Sequence, residues 1–242
     1  MSALFNPVVA AITVRATLGR RRALLFAVPA VILIVLTLIL RATRPGGVPW
    51  PDHVLGDFGF SVLLPLTALI IGTGVLGAEI DDGSAIHLLA TPVRRSAVVV
   101  TKFAVAALLT MVFAALPELV AGLLAPHSGK LAVGLFVGAL VGSVIYSAVF
   151  VLASVLTTRA IAVGLLYVLI WEGLLGNLVG GARILSVAHY SLGFANAIYP
   201  DPNLQAGLTL STSLILGLLV TAGALILATR RLSAFAIKGD PA

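Results

Sequence analysis

The chain has 242 residues, 60% of them hydrophobic and 10% charged, with a mean hydropathy of +1.15. Soluble domains run at roughly 45–50% apolar and 25% charged, so this balance excludes a soluble globular protein and marks an integral membrane protein. The formal charge of +6 reflects basic residues flanking apolar runs rather than a nucleic-acid partner, and the absence of cysteine excludes disulfides, thiolate metal sites and cysteine nucleophiles.

At the N-terminus, Asn6 and Pro7 form a helix-start signal, and Val8, Val9 and Ile12 alternate with Thr13, Arg15 and Thr17. This pattern predicts an interfacial helix over 6–22, lying on a leaflet surface. A bilayer crossing needs about 20 apolar residues. Six such runs are present, over about 24–40, 58–78, 103–124, 131–156, 160–179 and 207–229. The expectation is an all-α protein of six transmembrane helices, because lipid offers no partner for an open backbone. The first run lacks a small-residue cleavage site and reads as a retained anchor.

Between the second and third runs lies a polar break, "EIDDGSAIHLLATPVRRS", residues 79–96. Ile86, Leu89, Ala90 and Val93 recur at helical spacing, and Pro92 limits the helix. Asp82 precedes its start while Arg94 and Arg95 follow its end, the arrangement the helix dipole favours. The connection at Thr157, Thr158 and Arg159 shows that far fewer residues suffice for a plain turn. A short helix exposing Ile86 and Leu89 to water calls for a partner surface.

Glu118 and Glu172 lie within the third and fifth runs, where an ionised carboxylate is costly and functional by default. Both lie roughly 9–10 Å from the outer end of their run, at 1.5 Å per residue. For Glu118, beside Pro117, the favoured reading is a carboxylate solvated or bonded near the outer boundary. For Glu172, between Trp171 and Gly173, a pathway role and a structural one stand level. Gly134, Gly138 and Gly142 form a small-residue face for close helix packing. Residues 180–206 are too apolar for a free loop and predict a short re-entrant or interfacial helix on the outer side. His53, His87, His127 and His189 fall in separate segments and imply no metal site.

Basic residues set the orientation. With the N-terminus inside, Arg15, Arg20, Arg21, Arg22, Arg94, Arg95, Lys102, Arg159, Arg230, Arg231 and Lys238 lie on the cytoplasmic side, against Arg41, Arg44, Lys130 and Arg183 outside. Both termini and the 79–96 segment are then cytoplasmic.

Glu79, Gly83, Leu88, Leu89, Thr91, Pro92, Arg95 and Lys102, in the pattern E-x3-G-x4-LL-x-TP-x2-R-x6-K, resemble the membrane subunits of ABC-2 type exporters. Ser84-Ala85 departs from the Gly-Thr that many members carry there, with a hydroxyl kept. The resemblance implies a permease of a bacterial inner membrane in which 79–96 is the coupling helix, with Glu79, Asp82, Gly83, Ile86, Leu88, Leu89, Pro92, Arg94 and Arg95 as ATPase-coupling residues. It also implies a cytoplasmic ATPase partner and a second permease copy, identical or related, within membrane lipid. This chain would bind no cofactor, ATP and magnesium residing on the partner. A P-loop needs G-x4-GK-[ST], and the pair Gly129-Lys130 is followed by Leu131. The alternative is a proton-coupled secondary transporter using Glu118 and Glu172, which an inverted repeat would favour and the sequence does not display. An intramembrane enzyme ranks third, for want of a catalytic constellation.

Overall fold

The structure is a computed structural model, and it describes residues 5–43, 50–81, 94–126, 129–176, 180–201, 204 and 207–235. Helix α1 spans Pro7–Thr17. The Asn6 side chain accepts hydrogen bonds from the Val8 and Val9 amides at 3.0 and 3.3 Å, satisfying two donors that the first turn cannot. Val9, Thr13 and Thr17 form its buried stripe, whereas Val8 and Ile12 face outward. The helix stops at Thr17, short of the predicted end at 22, and α2 begins at Arg20 and runs to Thr43.

Helix α3 opens with π-helical turns over Asp52–Leu63 and continues as α-helix over Leu64–Asp81. Helix α4 runs Arg95–Leu124, with π-helical turns at Met111–Ala115. Both wide segments lie just ahead of a proline, Pro65 and Pro117. A proline lacks the amide that closes an α-turn and its ring crowds the carbonyl four residues back, so the preceding turns widen. Helix α5 is Gly129–Leu156, α6 is Ala160–Leu175, α7 is Val187–Ile198 and α8 is Leu210–Phe235.

Among the described residues five helices are long and apolar enough to cross a membrane: Ala23–Thr43, Val54–Leu76, Arg95–Leu124, Gly129–Leu156 and Leu210–Ser233. The six-helix expectation is therefore corrected. The predicted span over 160–179 is the shorter helix α6, which ends at Leu175. The physical reason lies at Glu172. Its carboxylate needs donors that lipid cannot supply, and it finds them on Ser186, Val187 and Ala188, which bends the chain back after a few residues. Gly173 and Gly176 add poor helix propensity at the same place.

Helix α5 is the central pillar, touched by α3, α4, α6, α7 and α8. Helix α6 lies along one half of it: a Cβ on Gly164 would meet Phe150, and the Tyr167 and Phe150 rings pack edge to face at 6.4 Å. Helix α7 follows along the other half, with the Ser191 and Ala195 carbonyls seated where Cβ atoms on Gly138 and Gly134 would be, at 2.6 and 2.9 Å. Gly142 is closed in the same way by Ser191 Oγ and Leu64. The predicted glycine face thus lies against α7 and α3 within the chain.

Helices α2 and α8 are peripheral, with only 22% and 17% of their spanning windows buried, so most of each faces lipid or another chain. At one end of the bundle, α1 packs on α4 and α3, and the Asn6 amide donates to Thr101 Oγ1 at 3.0 Å. At the same end the Arg95 guanidinium donates to the Leu232 carbonyl at 3.2 Å. The start of α1 and the end of α8 therefore lie beside the first turns of α4.

Candidate functional site

Three groups of predicted functional residues can be followed into the fold: the segment around 79–96 and the two intramembrane carboxyls.

Glu79 lies in the last turns of α3. Asp82, Gly83, Ile86, Leu88, Leu89 and Pro92 lie outside the described residues. Arg94 is exposed and extended, the N-cap from which α4 starts. Arg95, in the first turn of α4, donates from its guanidinium to the Leu232 carbonyl near the end of α8. Lys102, assigned by sequence to the flanking basic set, is buried instead, with Nζ donating to the Val75 carbonyl at 2.8 Å. It lies inside because α4 begins at Arg95, two turns before the apolar run that defined the predicted span. Helix α3 leads into the 79–96 segment and α4 leads out of it, and Lys102 pins the two together.

Glu172 sits in π-helical turns over Tyr167–Leu175 and is fully buried. Its Oε1 accepts from Tyr167 Oη at 2.7 Å and from the Val187 amide at 2.9 Å. Its Oε2 accepts from Ser186 Oγ and from the Ala188 amide at 3.4 Å. Val187 and Ala188 open α7, so the carboxylate rests on a helix N-terminus, where unsatisfied amides and the helix dipole both favour negative charge. Ser186 is the N-cap of that helix and also accepts from the His189 amide at 3.4 Å. Trp171 Nε1 donates to the Leu185 carbonyl at 3.2 Å and closes the excursion from the outside.

Glu118 is the opposite case. It is 1% exposed, and neither carboxyl oxygen has a hydrogen-bond partner. It follows Pro117 in the first turn after the wide segment of α4, and a cleft of about 10 Å³ beside it is lined by Pro29 and Leu33 of α2, Leu63 and Thr67 of α3, and Phe113 of α4. Thr67 spends its hydroxyl proton on the Leu63 carbonyl at 2.8 Å. Gly59 makes the recess, since a Cβ there would overlap Glu118 Oε1. The reading of Glu118 as solvated or bonded near a boundary does not describe this geometry.

Tyr167, Ser186 and Gly59 complete these two sites without standing among the residues predicted for them. Ser186 carried a usable signal, a serine directly before an apolar helical stretch. Tyr167, five residues before Glu172 across a π turn, and Gly59, far from Glu118 in the chain, carried none.

The chain matches the family model described as ABC-2 family transporter protein over residues 18–181, about two thirds of its length. It belongs to the ABC-2 transporter family. No curated protein matches it. The matched ABC-2 region contains the 79–96 segment, Glu118, Glu172 and the glycine face of α5, and it ends where the excursion before α7 begins. As an ABC-2 family member the chain is an all-helical, multi-pass membrane transporter protein. Among the described residues no three His, Asp or Glu side chains gather to hold a metal ion.

Proposed function

We propose that this chain is the permease subunit of an ATP-driven exporter, forming the transmembrane pathway while a separate cytoplasmic ATPase supplies the energy. The family match across residues 18–181 carries the reading, because it takes in the segment whose pattern resembles a coupling helix. In this reading Leu88, Leu89 and Ile86 dock in the ATPase, Glu79 at the end of α3 and Asp82 lead into the docked helix, and Gly83 and Pro92 bound it. Arg95 and Lys102 relay its displacement to α8 and α3. ATP and magnesium are bound by the ATPase, whose closure moves the docked helix as a rigid body.

A second permease copy, identical or related, completes the pathway. The sparse burial of α2 and α8 supports such an apposition. Both termini lie on the cytoplasmic side of a bacterial inner membrane in this reading. The charge asymmetry supports it, as does the convergence of α1 and the end of α8 on α4. The competing reading, a proton-driven carrier working through both carboxyls, is disfavoured at Glu172, whose oxygens are fully engaged by four donors.

Affinity purification of the tagged chain from its native membrane tests the proposal. A soluble ATPase bearing a P-loop should accompany the wild type and be lost from Leu89→Asp while the chain remains in the membrane. A chain that transports at its full rate with no nucleotide-hydrolysing companion would refute the reading.

A further inference from the structure

We propose that Glu118 is an intramembrane proton-binding site, whose acid proton is exchanged when α2 separates from α4. It does not depend on which motor drives the chain.

The argument starts from what the carboxyl lacks. At 1% exposure neither oxygen has a partner, and an isolated carboxylate in an apolar surround carries a heavy desolvation penalty. Either a counter-charge, a set of donors or a proton must be present. The elements packed against this part of α4 are α2, the wide segment of α3 and α5. Their described ionisable groups are few. Arg41 of α2 donates to the Leu124 carbonyl at 2.9 Å, which is roughly 9 Å further along α4 at 1.5 Å per residue. Asp57 of α3 is itself partnered and carries the wrong sign. On α5, Lys130 is exposed at the start of the helix, and Tyr146 stacks on Phe150 at 5.9 Å. On α4 itself, Lys102 donates to the Val75 carbonyl. No described cation reaches Glu118.

The cleft narrows the choice of ligand. Its volume of about 10 Å³ is room for about one water, whose polar partners would be the Glu118 carboxyl itself and the Thr67 hydroxyl, and a single neutral water does not offset an ionised carboxylate. A metal ion would require several oxygen ligands around one point, and no such group exists among the described residues. A proton needs none of these. Gly59 keeps the space for the carboxyl open, as expected of a feature built to receive it.

Exchange needs water, and the seam between α2 and α4 is the natural route. Pro29 of α2 and Pro117 of α4 each remove a backbone amide at this seam, and the wide turns at Met111–Ala115 give α4 a point of compliance. By linkage, a closed seam favours the protonated acid, and ionisation favours the open, hydrated seam.

Infrared difference spectra of the full chain in lipid bilayers test the site. Wild type at neutral pH should show the carbonyl stretch of a protonated carboxylic acid that shifts in deuterated water and disappears as pH rises. The band should be absent from Glu118→Gln and retained in Glu172→Gln. If no band is assignable to Glu118, or if the band neither exchanges nor titrates, the proposal is overturned.

Spin labels on Ile39→Cys and Leu123→Cys, both exposed positions in a chain without cysteine, read the seam separately. Their separation should lengthen with rising pH in wild type and stay short at every pH in the Glu118→Gln background. An identical pH response in both backgrounds would overturn the linkage to the seam.

Discussion

Glu118 and Glu172 are the same residue type at the same apparent depth, yet the protein surrounds them in opposite ways. Glu172 has four donors and Glu118 has none. The difference follows from what each helix can reach. Helix α6 is short, and the N-terminus of α7 lies beside it, a ready source of two amides and a serine hydroxyl. Helix α4 continues for almost two turns beyond Glu118 and packs on helix midsections, where every amide is already used. A carboxyl inside a membrane finds donors where a helix begins beside it, and finds none where helices only pass.

Replacing Glu172 should break the comparison most severely. Glu172→Ala leaves the Tyr167 and Ser186 hydroxyls and two amides buried without an acceptor, each worth about 1–3 kcal/mol. The expected outcome is release of α7 from α6, seen as several-fold faster proteolysis within 176–186 and a large fall in thermal stability. Glu172→Gln should recover only part, because its NH2 group faces a donor.

Gly59→Ala is expected to be next in size. The added methyl meets the Glu118 carboxyl, an overpacking that costs about 1–3 kcal/mol. Glu118→Ala in the same chain should relieve much of it, and a double-mutant cycle of unfolding in detergent measures that coupling. Independent, additive losses would show that the recess is not built around the carboxyl.

Glu118→Gln should be smallest in stability, within about 0.5 kcal/mol of wild type, since one unionised polar group replaces another of the same shape. A loss as large as that of Glu172→Gln would reveal an anion with a partner and erase the contrast. Arg95→Ala lies outside the pair of carboxyls, and loss of its bond to the Leu232 carbonyl should loosen the last turns of α8, read by hydrogen exchange there.

Much of this architecture is written in local chemistry. The bilayer imposes a length on any crossing helix, so the apolar runs around Leu33, Leu69, Leu109, Leu135 and Leu218 mark the five long helices plainly. Asn6-Pro7 marks the start of α1 because both residues act on the first turn alone. The run at 160–179 misleads because its helix is ended by hydrogen bonds to residues ten or more positions away, which no hydropathy window contains. Lys102 misleads for a related reason, as its partner is the Val75 carbonyl on another helix. Both carboxyls were legible as exceptional, since charge in an apolar run needs no structure to notice. Which one holds donors depends on the distant neighbours Ser186 and Gly59.

The claim on which the functional account stands is that residues 79–96 join this permease to a separate ATPase. ATP-dependent export by the reconstituted complex in vesicles, compared between wild type and Leu89→Asp, tests it most directly. The account predicts at least a tenfold loss of export, roughly 1.4 kcal/mol or more of coupling, with ATP hydrolysis by the isolated ATPase intact. Undiminished export from Leu89→Asp would contradict it.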